Sequence, residues 1–490
     1  MTFFFCNTSQ AQEQRTMSTI VYKDPLIGER IKRVENGLRQ AIGIEGMPIS
    51  QKNILKTMQE MNVPAVSIAV INKGQIEWAK TYGVLSSAND QQANPQTRFQ
   101  AGSVSKPVAA SAILSLVNQK ILNLDEDVND KLNSWKVPDN EFTSINKVTL
   151  RHLLSHTSGL NVIGFDGYTK NEKIPTITQT LEGVKPANNV PIRVGFVPGS
   201  KMIYSGGAYN VAQQLVEDVT KTTFSQFMEN TLLNPLRMDD STFGYLETNT
   251  SSNVAYAHPA NRIPMEGGWK SYPESAAAGL WTTPTDLAKW LIEIQAGLTT
   301  GNGSKILSKD LLIDMVTPQV AVHGLGPVVN GAEDQLELSF KGRTDGFTCG
   351  FVSFPYLKQG AVVMINAGNE FAFVDAVLRS IAHEYQWPSY IVKVKKAISL
   401  SPETLDKYIG RYGWEEEPND IYDLFVFREN DQLFWKIGNA SNPSKLYPEV
   451  DNRFFSVDAG YDLVFKETDE SIIGLTIIVQ VGLEREFRKF

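Results

Sequence analysis

The sequence predicts an α+β fold: one antiparallel sheet built from both ends of a large domain, with helices packed against it and a helical insertion. A separate small all-β unit, a sandwich or barrel, follows. Three observations predict this. Strand-length apolar runs flank a long helical middle. Those runs lie near residues 63–82 and 328–366, so one sheet must draw on distant segments. Past residue 398 the texture becomes short alternating strands separated by turn residues.

Taken in order, residues 1–23 read as a leader or a disordered N-terminus. Met1-Thr2-Phe3-Phe4-Phe5-Cys6 and Ser9-Gln10-Ala11 supply an apolar stub and a small-x-small site, without a basic n-region. A truncated export signal implies a periplasmic or extracellular protein, and a disordered start a cytoplasmic one; both readings stand. From Asp24 to about Glu60 apolar positions recur at helical spacing. Val63–Ile71 reads as a buried strand, and Gln75–Tyr82 as its hairpin partner across Asn72-Lys73-Gly74. Val108–Gln119 is a near-continuous apolar helix, and Leu150–Leu154 a short one. Residues 161–200, rich in Gly, Pro, Asn and Thr, form a long ordered loop region of the kind that shapes a site. Helices resume at Tyr209–Val219, Phe224–Leu233 and Thr285–Gly297. Strands return near Val328, then at Leu336–Lys341, Phe347–Phe354 and Ala361–Asn366, before a helix at Asp375–Tyr385. The large domain is thus 24–397. In 398–490, Ser401-Pro402-Glu403 starts a short helix, and six strands follow: Asp423–Arg428, Gln432–Ile437, Ser444–Val450, Arg453–Val457, Leu463–Lys466 and Gly474–Val481.

A chain of 490 residues exceeds one compact core, in line with two domains. A net charge of −8 argues against nucleic acid or an anionic membrane as the main partner, and no apolar stretch is long enough to span a bilayer. Cys6 and Cys349 are the only cysteines, which excludes a disulfide scaffold and a cysteine-based zinc site. The five histidines include no His-Glu-x-x-His pattern. No metal or organic cofactor is implied. The expected partner is a small-molecule or peptide substrate, and the oligomeric state is not legible.

The chemistry points to Ser103 and Lys106, in Ala101-Gly102-Ser103-Val104-Ser105-Lys106-Pro107. A serine hydroxyl needs a base within hydrogen-bond reach to become a nucleophile. Positions i and i+3 share a helix face, and an amine in a desolvated pocket has its pKa lowered enough to accept the proton. Pro107 suits a first helical turn. Ser144/Lys147 repeats the spacing in a polar connector, where it reads as incidental. His156 beside Ser158 reads as the end of a helix, Cys349 as a buried hydrophobe, and Asp286 as a helix-starting acid.

Several ordered segments single out the first pair. They are Ser103-Val104-Ser105-Lys106, Leu153-Leu154-Ser155-His156-Thr157-Ser158-Gly159-Leu160, Tyr204-Ser205-Gly206, Asn234-Pro235-Leu236-Arg237-Met238, and Gly279-Leu280-Trp281-Thr282-Thr283-Pro284-Thr285-Asp286-Leu287-Ala288. With them the chain resembles the serine β-lactamase-like hydrolases, in the branch of class C β-lactamases, penicillin-binding esterases and D-amino-acid peptidases. The resemblance covers the first four-fifths of the chain. It implies a class C β-lactamase-like antiparallel sheet with a helical subdomain, and leaves the C-terminal domain a lipocalin-like barrel or a sandwich. It also implies an acyl-enzyme mechanism in which Ser103 attacks while Lys106 and Tyr204 share acid and base work. Tyr204 falls on the family's Tyr-x-Asn element, but Gly206 stands where the Asn is expected, offering backbone groups and space. Some relatives carry Tyr-Ser-Gly-Gly. The Lys/His-x-Gly element falls on Phe340-Lys341-Gly342, which puts the cation position on Phe340. Lys341, one residue on, points to the opposite face unless a bulge turns it inward. The Arg343 N–H becomes the second oxyanion donor beside that of Ser103. The substrate is then an ester, a D-residue peptide or a β-lactam. The alternative is a non-catalytic or acylation-only protein that senses penicillin or peptidoglycan fragments.

Overall fold

The computed structural model describes residues 17–19, 25–246, 253–300, 303–414, 423–438, 443–468, 471–480 and 483–490. Most of the expected leader, Cys6 included, lies outside them. The chain forms two compact units, one of Met1–Glu29 and Leu55–Val374, the other of Arg30–Ile54 and Asp375–Phe490.

The first unit holds a seven-stranded sheet. Its strands are β1 (Met17–Thr19), β2 (Ala65–Asn72), β3 (Gln75–Gly83), β4 (Val328–Asn330), β5 (Glu337–Thr344), β6 (Phe347–Phe354) and β7 (Gln359–Ile365). The order is β1-β3-β2-β7-β6-β5-β4, antiparallel at every junction. Early and late segments meet at β2 and β7, where Val362 faces Ala69. The β2–β3 turn has Lys73 at φ 54° and Gly74 at φ 73°, and this left-handed pair matches the twist of the strands it joins.

Helix α1 (Ser105–Asn118) is buried from Ser105 to Leu116, which is why its sequence is apolar all round. Helix α2 (Gly206–Thr220) packs beside it, and α3 (Pro284–Thr299) lies on β2, β3 and β7. Thr283 caps α3, with Pro284 in its first turn. The buried Asp286 carboxylate accepts from the Asp240 N–H and the Ser241 hydroxyl, so it ties two segments together besides starting the helix.

The helical spacing read over 24–60 is only partly a helix. Helices cover Pro25–Glu35 and Ile54–Glu60, and short strands occupy Leu38–Arg39, Ile42–Ile44 and Gln51–Lys52. Gly37 and Gly46 lie in that stretch, and Gly46 has φ 79°. In the second unit the all-β segment is a closed eight-stranded barrel. The two strands not anticipated, Gly410–Trp414 and Leu483–Lys489, are the ones that pair to close it. Tyr408, Tyr412, Trp435, Phe454 and Phe465 fill its interior. Among the described residues no helix is long and apolar enough to cross a membrane.

Candidate active site

Ser103 sits in a tight turn, Gly102–Val104, that feeds directly into α1. Gly102 has φ 53°, and a Cβ there would meet the backbone of Arg343 at 2.5–2.6 Å, so only glycine fits. Ser105 locks the turn: its hydroxyl donates to the Gly102 carbonyl at 2.6 Å and accepts the Leu280 N–H at 3.0 Å.

One turn on from Ser103, the buried Lys106 amine lies 3.1 Å from Ser103 Oγ and 2.9 Å from the Ala277 carbonyl. Burial pushes its pKa down to about 7, so much of it is an unprotonated base near neutral pH. The Lys106 Nζ also sits 5.0 Å from the centre of the Tyr204 ring and 5.8 Å from that of Tyr209.

Tyr204 precedes α2. Burial raises its phenol above the usual range, and a hydrogen bond with the Ser103 hydroxyl opposes that shift. The phenol therefore stays neutral, and of the two groups the Lys106 amine is the one able to take up a proton near neutral pH. The His156 ring lies against Tyr204, with centroids 4.4 Å apart and planes at 31°. His156 is itself fixed: its Nδ1 accepts the Ser205 N–H at 3.1 Å. It makes no pair with Ser158, whose hydroxyl accepts the Leu160 N–H at 3.4 Å.

Strand β5 supplies the facing wall. Gly342 presses on the nucleophile turn so closely that a Cβ would come 2.1 Å from the Ala101 carbonyl oxygen and 2.8 Å from the Ser103 nitrogen. Thr344 pairs with Phe347 around the two-residue Asp345-Gly346 turn, and ladder alternation then turns the Arg343 N–H out of the β5–β6 pair. Strand β4 covers only Glu337–Ser339, so from Phe340 onward no strand among the described residues pairs with the edge of β5 that faces away from β6. The Arg343 backbone thus lies against the turn that carries Ser103, with its nitrogen 2.6 Å from where a Gly102 Cβ would stand.

The remaining candidates separate. Register along β5–β6 is regular, without a bulge at Lys341. Lys341 and Arg343 lie on the exposed face, Lys341 with its Nζ 5.9 Å from the Phe371 ring centre and Arg343 donating to Asn369 Oδ1 at 3.0 Å. Phe340 is buried, 6.5 Å from Tyr204 by ring centroids and 6.3 Å from His323. Gly206 has no spare space: a Cβ would lie 2.9 Å from the Ile163 carbonyl and 3.0 Å from the Phe165 ring. Its N–H already donates to that carbonyl at 3.0 Å. In the second Ser-x-x-Lys pair, Ser144 donates to the Glu141 carbonyl and Lys147 pairs with Asp139 at 2.6 Å. Cys349 is buried and its thiol pKa is pushed up. Among the described residues no group of three or more His, Cys, Asp or Glu side chains is placed to hold a metal.

Sequence reasoning missed the Ala277 carbonyl, the His156 and His323 rings and the Phe165 plug. All are contacts across long sequence gaps, and only the Ser-His-Thr-Ser-Gly segment gave a local signal.

A model of the Beta-lactamase family matches residues 51–384. The chain belongs to the Beta-lactamase family. Protein flp of Staphylococcus aureus (strain N315) is 26% identical over 335 residues, covering 65% of this chain and 63% of that relative's length. Among solved structures, the octameric penicillin-binding protein homologue from Pyrococcus abyssi has a TM-score of 0.60 at 22% identity, covering 89% of this chain and 98% of that one. EstCE1, a hydrolase with promiscuous acyltransferase activity, has a TM-score of 0.57 at 19% identity, covering 72% and 98%. At such identities the structural likeness shows the fold alone.

Proposed function

We propose that this Beta-lactamase family protein is a serine hydrolase that works through an acyl-enzyme on Ser103. The observation that carries the reading is the buried Lys106 amine 3.1 Å from a half-buried serine hydroxyl. Ser103 Oγ attacks the substrate carbonyl as Lys106 takes its proton. The oxyanion is held by the Ser103 and Arg343 N–H groups. As the C–O or C–N bond breaks, the neutral Tyr204 phenol protonates the leaving group and is resupplied from Lys106. Water then attacks the acyl carbon by the reverse relay, releasing the acid and free Ser103. An ester, a D-residue peptide and a β-lactam all suit this sequence of steps.

The test is a fluorophosphonate probe followed by peptide mass analysis. The reading expects one adduct on Ser103, lost in Ser103→Ala, and turnover of a p-nitrophenyl ester. A folded wild-type protein that takes no label on Ser103 would sink it. Labelling without turnover of esters, D-peptides or nitrocefin would favour the acylation-only sensor instead.

A further inference from the structure

A substrate carbonyl poised over Ser103 must have its oxygen between the Ser103 and Arg343 amides. Whatever is attached to that carbonyl runs along the open edge of β5 on one side and past Tyr204 towards Gly206 on the other. Each side is flanked by a phenyl ring. On the strand side, Phe340 is two residues from Gly342 on the same face, 6.5 Å from Tyr204 by ring centroids. On the loop side, the half-buried Phe165 ring comes within 3.0 Å of where a Gly206 Cβ would stand. The rim continues apolar through Ile163, which is 43% exposed. The cations that sequence proximity would offer are turned away, with Lys341 over Phe371 and Arg343 on Asn369. Lys106 is committed to Ser103 and the Ala277 carbonyl.

An anionic group bound on either side would lose its water, with none of Lys106, Lys341 and Arg343 turned to meet it. An apolar group of the same size would gain from burial against the rings. We infer that Phe165 and Phe340 set the substrate class of this site: esters whose groups beside the scissile carbonyl are neutral and apolar, with anionic acyl groups rejected. This rests on the serine-hydrolase reading above.

A matched pair of substrates tests it on the full chain, p-nitrophenyl butyrate against mono-p-nitrophenyl succinate. They share a leaving group and differ by one carboxylate. Wild type should favour the butyrate by about 30-fold or more in kcat/KM, at the scale of pocket-based discrimination. Phe340→Lys should narrow that ratio about tenfold by placing a cation on the strand side. Phe165→Lys, at a half-buried position, should do the same independently of any packing damage at Phe340. Equal or better turnover of the succinate by wild type would overturn the inference. So would an unchanged ratio in both Lys variants, each folded by circular dichroism and labelled at Ser103, or labelling at Ser103 with hydrolysis of neither ester. Absence of a Ser103 adduct in wild type would instead remove the hydrolase reading on which it stands.

Discussion

Around Ser103, the wall behind the nucleophile is polar, buried and joined by hydrogen bonds, whereas the wall ahead of it is aromatic. Behind, Lys106 reaches both Ser103 and the Ala277 carbonyl, and Tyr204 is held by His156, which is held in turn by Ser205. Ahead, Phe340 and Phe165 stand where a recognition site for charged groups would need donors or cations. The difference separates two demands on one cleft. Activating a hydroxyl requires a desolvated base at fixed distance, which only a connected polar cluster provides. Admitting a substrate requires only a surface of matching polarity, which a few side chains can reset.

The largest break in this comparison is to remove the nucleophile. Ser103→Ala should lower kcat/KM for p-nitrophenyl butyrate by at least about 10³-fold while leaving circular dichroism unchanged. Activity above a tenth of wild type would place the reacting group elsewhere. Next comes the base. Lys106→Met should cost about 10²–10⁴-fold. In wild type, kcat/KM should climb as pH rises through about 7, because the reactive form of Lys106 is the free amine. A profile flat from pH 6 to 9 would exclude it. The linkage has a second consequence. The folded-state pKa lies below the unfolded value, so the destabilisation is full below about 7 and fades as pH rises towards the unfolded pKa of 10.5. Lys106→Met should therefore raise the neutral-pH melting temperature, relieving a burial cost of a few kcal/mol (order of magnitude).

What was legible in the chain follows the range of the interaction involved. Ser103 and Lys106 are one turn apart, so helix geometry alone puts hydroxyl and amine on one face. Strand alternation likewise places Phe340 inward and Lys341 outward, as the sheet has them. By contrast, the filling of Gly206 depends on where residues 161–167 fold back, and no local pattern encodes that. The barrel shows the same limit. Its central strands alternate clearly, but Leu483-Glu484-Arg485-Glu486-Phe487-Arg488-Lys489 is mostly charged and becomes a strand by closing on Gly410–Trp414.

A smaller break tests the contact between the two walls. Gly342→Ala forces a methyl to within 2.1 Å of the Ala101 carbonyl oxygen, and backbone on both sides cannot yield cheaply. The strand must retreat from the nucleophile turn, spreading the two oxyanion amides. The expected result is a fall of about 10–100-fold in kcat, with about 1–3 kcal/mol of stability lost in urea unfolding. A variant with wild-type kcat would show that the Arg343 amide does not serve the oxyanion.

The mildest change sharpens the polar wall itself. His156→Phe keeps a ring against Tyr204 but removes the Nδ1 acceptor, so the buried Ser205 N–H is left without its partner at 3.1 Å. That omission should cost about 1–3 kcal/mol of stability. Because Ser205 follows Tyr204 directly, its loosening should let the phenol drift from Ser103 and lower kcat several-fold, with KM little changed. His156→Asn, with a shorter side chain that carries an acceptor oxygen but no ring, separates the two functions. If kcat recovers with the acceptor, the hydrogen bond positions Tyr204; if it recovers only with a ring, stacking does. Wild-type kcat in both variants would remove His156 from the positioning of Tyr204 and leave it a packing residue.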